Sequence, residues 1–144
     1  MRRWTHGFIG LLFVLLFPTI VVAQGSVNNI NVKDYGATGD GSTDDTTAVI
    51  AWLNAYNAAP QGTVAFAPAG TYSIRFSSLP TIRNPGRIEG VAGSTIFKNR
   101  VGDTGNGFVI GEMAFNPGYQ SLFIGHLTLK GNGLDGHGFF TPVT

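Results

Sequence analysis

Apolar residues are distributed along this chain in three ways. From Phe8 to Val22 they form an almost unbroken run. Ala48, Val49, Trp52, Leu53 and Tyr56 recur at helical spacing and predict one amphipathic helix. After Thr63 they come in short groups at Thr63–Phe66, Thr71–Ile74, Arg87–Ile88, Thr95–Phe97, Gly107–Ile110, Leu122–Ile124 and Leu127–Leu129, with Gly, Asn, Asp and Pro between them. These read as short strands divided by turns. Ile30 to Tyr35 alternates apolar and polar and predicts a further strand, ahead of a turn over Gly36 to Gly41.

The helix signals are local. Ser42 or Thr43 is the expected N-cap, which puts Asp44 and Asp45 in the first turn. There, free N–H groups and the positive end of the helix dipole favour carboxylates. Pro60-Gln61-Gly62 is the expected stop. The polar stretch Ser77 to Gly86, with two prolines, reads as a surface loop. Ile96, Val109 and Ile124 recur 13 to 15 residues apart. That spacing suits a β-solenoid of ~20 to 30 residues per coil. It equally suits a β-sandwich with turns every ~8 to 12 residues.

The first apolar run changes the picture of the N-terminus. Arg2 and Arg3 precede it, Pro18 interrupts it, and Val21-Val22-Ala23 offers a cleavage site before Gln24. This is the layout of a secretory signal peptide, and the run is short against the ~20 residues of a membrane span. The expected division is a signal over residues 1–23 and one domain over 24–144. The expected location is secreted, extracellular or periplasmic, with no membrane attachment after cleavage. Without Arg2 and Arg3, seven basic residues face eight acidic ones, so nothing calls for nucleic acid as a partner. The chain has no cysteine, so it has neither disulfides nor thiolate chemistry.

Two motifs decide between solenoid and sandwich. Val32-Lys33-Asp34-Tyr35-Gly36-Ala37-Thr38-Gly39-Asp40-Gly41-Ser42-Thr43-Asp44-Asp45-Thr46 and Gly62-Thr63-Val64-Ala65-Phe66-Ala67-Pro68-Ala69-Gly70-Thr71-Tyr72 follow one another in order. Together they resemble the opening of pectate-lyase superfamily proteins, in the manner of the rhamnogalacturonase/epimerase N-terminal region. Ser121 to Gly133 is similar to a further coil. The resemblance implies an all-β fold, a right-handed single-stranded parallel β-helix with an amphipathic α-helical N-cap. This chain would hold only its N-terminal part. The implied function is action on extracellular polysaccharide, acidic polymers included, as a lyase or glycoside hydrolase. The alternative is a non-catalytic, adhesin-like module that binds glycans.

Candidate chemistry is thin. Asp135-Gly136-His137-Gly138 resembles a polygalacturonase-type motif, so Asp135 and His137 are the catalytic candidates. Glycosidic cleavage needs two carboxyl groups ~5 to 9.5 Å apart, and Asp135 has no evident partner. A calcium site, which occurs in the wider family, needs several clustered oxygens, whereas Asp103, Glu112 and Asp135 are scattered. The chain is therefore expected to be inactive alone, without metal or cofactor. His126, within an apolar run, reads as structural. Arg75, Arg87, Lys98 and Arg100, with Arg83, are the candidates for contact with an acidic polysaccharide, through pairing with its carboxylates. A solvated basic face would produce the same pattern.

Overall fold

The computed structural model describes residues 28–111 and 121–132, and the backbone of 139–140. The elements run β1 (Asn29–Asn31), β2 (Asp40–Asp44), α1 (Thr46–Ala58), β3 (Val64–Phe66), β4 (Gly70–Ile74), β5 (Arg87–Glu89), β6 (Thr95–Asn99), β7 (Phe108–Val109), β8 (Phe123–Gly125), β9 (Thr128–Lys130) and β10 (Phe139–Phe140).

Their pairing is wholly parallel. One sheet has the order β1-β3-β5-β8 and another the order β2-β4-β6-β9, so the chain visits the two sheets alternately. A third line joins β7 to β10 and bridges Ile82 to Ile110. Each circuit thus lays one strand on each sheet. Val64 pairs with Arg87 and Gly70 with Thr95, about 25 residues per circuit. Antiparallel hairpins are absent among the described residues, so the sandwich reading does not hold. In the first circuit α1 occupies the stretch between β2 and β3, where the next circuit passes through Ile82.

Alternation within the strands sets inside from outside. Tyr72 and Ile74 of β4 and Phe97 and Asn99 of β6 are buried, as are Ala65 and Ile88 on the other sheet. Phe97 sits among three rings. Tyr72 stacks on it at 5.2 Å, Trp52 lies 6.2 Å away at 15°, and Phe108 meets it edge-on at 5.4 Å. Val49, Trp52, Leu53 and Tyr56 are fully buried, which is the apolar face expected of the helix. The polar tips of its aromatics are also satisfied. Trp52 Nε1 donates to the Ile30 carbonyl at 3.0 Å, and the Tyr56 hydroxyl donates to the Asn84 carbonyl at 3.0 Å. Burial pushes the Tyr56 hydroxyl well above its usual pKa.

Several local expectations are corrected. The N-cap of α1 is Asp45, not Ser42 or Thr43, because β2 continues through Asp44. Asp44, just before the cap, accepts from the Thr46 N–H at 3.1 Å. Asp45 accepts from the Val49 N–H through its carbonyl at 2.9 Å, but its side chain makes no bond to the helix. It is 2% exposed, and its carboxylate accepts from Thr38 N, Thr38 Oγ1 and Gly39 N at 2.7, 2.9 and 3.0 Å. It holds the preceding turn shut, where Gly39 has φ +64°. The alternation of Ile30 to Tyr35 yields strand only as far as Asn31, whose side chain caps a 3-10 turn over Val32–Tyr35.

Ser77–Gly86 is more than a surface loop. Ile82 is fully buried, and the buried Asn84 donates to the Tyr56 and Ala59 carbonyls at 2.6 and 2.9 Å, closing the C-terminal end of α1. His126 lies in the turn between β8 and β9, not within a strand, with φ 56°. Asp103 is equally structural. Burial pushes its pKa up, but hydrogen bonds from Ser77, Gly105 and Asn99 outweigh this and hold it below the ordinary carboxylate value.

Two outcomes follow. Trp52→Ala should cost about 3–5 kcal/mol, as for other buried aromatics. Trp52→Phe keeps a ring but gives up the hydrogen bond to the Ile30 carbonyl, at about 0.5–1.5 kcal/mol. Urea denaturation of both variants checks the order. Stability should also fall in acid. Asp103 and Asp44 have folded-state pKa values below the unfolded value of about 4, so their contribution is complete above that pH and lost as pH falls through the folded values. In Asp103→Asn the drop in urea midpoint between about pH 5 and pH 2 should be shallower than in the parent chain.

Candidate functional site

The outward phase of the β2-β4-β6-β9 sheet carries the largest group of basic side chains. Since Tyr72, Ile74, Phe97 and Asn99 point inward, alternation sends Ser73 and Lys98 outward. Arg75 and Arg100, each one residue past its strand, continue the same phase. Register then aligns them. Asp44 pairs with Ser73, Ser73 with Lys98, and Lys98 with Lys130. Arg75 and Arg100 are one circuit apart. The result is an open depression of about 260 Å³, lined by Gly41, Ser42, Ser73, Arg75, Lys98, Arg100 and Val101.

The electrostatics are one-sided. Asp44 is the only carboxylate with a described contact to this group. Its Oδ2 lies 3.3 Å from Arg100 Nε, and the Thr46 hydroxyl, with smaller help from Arg100 and Arg75, lowers its pKa. Arg100 also reaches Ser73 Oγ at 3.4 Å, which orients its guanidinium over the sheet. On the neighbouring turn Asp40 accepts from Ser42 and Thr43 through backbone and hydroxyl groups, which keep it ionised to very low pH. Val101 is 92% exposed at the rim, an apolar side chain in a position where the chain gains nothing by displaying it to water. Such a depression can hold an anion. The cations offer charge-assisted hydrogen bonds, and Ser42 can bond hydroxyls.

The structure therefore brings Arg75, Lys98 and Arg100 together and leaves Arg87 out. Arg87 stands on the outer face of the other sheet, paired to Glu89 at 3.1 Å and lying over the Phe123 ring. Arg83 is tied through its backbone N–H to Asn57 and is also remote from the group. Asp135, His137 and Glu112 lie outside the described residues. Among the described residues no three His, Cys, Asp or Glu side chains gather where they could share a metal ion. Lys130 and Ser73 do not stand out in the sequence, and Asp44 reads there as a helix first-turn carboxylate rather than as a neighbour of these cations. A signal for them existed. Residues one circuit of about 25 apart in the same strand phase must neighbour one another, and that rule alone aligns Arg75 with Arg100 and Ser73 with Lys98.

Comparison with known proteins agrees with this architecture. Residues 29–84 match the family model described as rhamnogalacturonase A/epimerase, pectate lyase-like. The mannuronan C5-epimerase AlgE3 of Azotobacter vinelandii is 37% identical over 110 residues, covering 72% of this chain and 6% of that protein. Among solved structures, ORF18 of Geobacillus virus E2 superposes with a TM-score of 0.61 at 27% identity, covering 77% of this chain and 22% of that one. The A-module of the Azotobacter vinelandii mannuronan C-5 epimerase AlgE4 superposes with a TM-score of 0.52 at 26% identity, covering 80% and 34%. The chain thus spans only a small part of each of these proteins. With its alternating parallel sheets, its opening motifs and these likenesses, the chain belongs to the pectate-lyase-like β-helix superfamily.

Proposed function

We propose that this chain is the exported N-terminal part of a right-handed, single-stranded parallel β-helix, closed at its start by α1, whose basic sheet face binds an acidic extracellular polysaccharide. The observation that carries the reading is the convergence of Arg75, Lys98 and Arg100 around one depression, with Asp44 as their described counter-charge. A polymer that presents a carboxylate on each sugar would meet a fresh cation at each circuit, since adjacent strands are ~4.8 Å apart. The name of the AlgE3 relative, a mannuronan epimerase, supports a uronate polymer as the ligand class. The helical cap has a physical warrant. Parallel strands leave an open edge at the start of the stack, and α1 lays Trp52 and Leu53 against that end.

In this reading the parent protein is an epimerase, lyase or hydrolase acting on polysaccharide, and this portion binds without turning over. A catalytic pair is not supplied by the described residues. Asp44 is engaged by Thr46 and Arg100, and His126 stands in the turn after β8, against Glu89. A glycan-binding module without catalysis would use the same face in the same way. Residues 1–23 act as the export signal and 24–144 as the domain, which places the protein outside the cytoplasm. Among the described residues no helix is long and apolar enough to cross a membrane.

Two measurements test this. In calorimetric titration with mannuronan oligomers at low salt, Lys98→Ala and Arg75→Ala should each weaken binding about 3- to 10-fold, and raised salt should weaken the parent chain likewise. Asp44→Asn should strengthen binding a few-fold by removing the one competing carboxylate, with no C5 inversion and no unsaturated or reducing ends from any variant. Equal affinity across the three variants sinks the proposal. Expressed in a secreting bacterial host, the product should begin at Gln24 when its N-terminus is read by mass spectrometry. A product retaining Met1 to Ala23 contradicts export by cleavage.

A further inference from the structure

The outer face of the β1-β3-β5-β8 sheet holds a second cluster, of different chemistry. Its outward rows are Asn29-Val64-Arg87-Phe123 and Asn31-Phe66-Glu89-Gly125. The Phe123 side chain is 45% exposed, where burial would be the default for a ring of its size. It is held in place from three directions. The Arg87 guanidinium carbon lies 4.9 Å from the ring centroid. A Cβ on Gly125 would stand 2.5 Å from two of the ring carbons, so only the bare glycine lets the ring lie there. The His126 imidazole is 6.3 Å away and tilted by 57°.

Glu89 ties the polar members together. Its Oε1 accepts from Arg87 Nη2 at 3.1 Å and lies 3.1 Å from His126 Nδ1, which leaves Oε2 without a described partner. His126 reaches this contact from a left-handed backbone (φ 56°), the one non-glycine residue so placed among those described. Such strain persists only where the surroundings hold it. With Arg87 and Glu89 cancelling, the cluster has no net formal charge, in contrast to the cationic face on the other sheet.

We propose that this cluster is a separate saccharide site that takes a neutral sugar. A pyranose presents C–H groups on its face and hydroxyls around its rim. The cluster presents the complement, an exposed ring to pack under the C–H face and a rim of carboxylate, guanidinium and imidazole to bond the hydroxyls. With Glu89 holding the Arg87 guanidinium, this position has no net attraction for a carboxylate, so the ligand class differs from that proposed for the basic face. The two sites lie on different sheets and stand or fall independently.

The test is an NMR titration of the labelled full chain with cellohexaose, mannohexaose and maltohexaose as neutral probes, and a mannuronan hexamer as the charged one. At least one neutral probe should shift the amides of Gly90, Phe123, Gly125 and His126 with a dissociation constant of about 1 mM. The amides of Lys98 and Arg100 should not move with it. Phe123→Ala and the isosteric Glu89→Gln should each weaken that binding at least 5-fold, while Lys98→Ala leaves it unchanged. A dispersed spectrum for Glu89→Gln guards against mistaking misfolding for loss of the site. Silence of these amides with all three neutral probes overturns the proposal, as do shifts indifferent to both substitutions. Stronger shifts of the same amides with the mannuronan hexamer overturn it as well.

Discussion

Phe97 is where the separate parts of this fold become one core. Its ring contacts Trp52 of the helix, Tyr72 of the preceding circuit and Phe108 of the third line, so the cap, one sheet and the third line are packed against the same side chain. A parallel stack of two- to five-residue strands has little local stability, because each strand's partner comes from a different circuit. Aromatic burial at one node compensates for that. It supplies more apolar area per residue than any aliphatic choice, and the offset and edge-on geometries add to it. The price is that Trp52 and Tyr56 bring polar atoms inside, and each finds a backbone carbonyl, from Ile30 and Asn84.

The inward register that stacks Tyr72 on Phe97 also decides what happens outside. With a side-chain period of two, placing residues 72, 74, 97 and 99 in the core leaves 73, 75, 98 and 100 no alternative but the outer side, where Ser73 is covered by its neighbours. The clustering of Arg75, Lys98 and Arg100 is thus a consequence of core packing combined with circuit length. A one-residue slip between β4 and β6 would bury Lys98 and scatter the cations, so the packing that stabilises the fold also maintains the basic face.

Much of this was legible along the chain. The buried face of α1 follows from helical spacing at Ala48, Val49, Trp52, Leu53 and Tyr56, and the strands around Ala65, Tyr72, Ile88 and Phe97 follow from their apolar groups and turns. What escaped depended on partners distant in sequence. Asp44 and Asp45 both look like first-turn carboxylates, yet Asp45 is drawn away by Thr38 and Gly39, whose N–H groups lie in a turn closed by positive-φ glycine. Ile82 and Asn84 sit in a stretch with the composition of a surface loop, and become core and helix stop only because α1 packs over them. Arg87 groups with the other basic residues in sequence, but its strand belongs to the other sheet.

The separation of Arg87 from Arg75, Lys98 and Arg100 also bears on how such a chain can distinguish ligands. A circuit that crosses two sheets offers two outer faces with independent compositions, since residues a few positions apart in sequence stand on different sides of the core. On one face the cations outnumber Asp44, and the field favours any polyanion. On the other, Glu89 neutralises Arg87 and engages His126, so recognition there must rest on shape, an exposed ring and hydrogen-bond geometry. The first kind of contact weakens with salt and tolerates variation along a polymer; the second is insensitive to salt and demands a fitted sugar. Carrying two faces of such different composition on one short stack requires nothing beyond the alternation of sheets that the aromatic core already imposes.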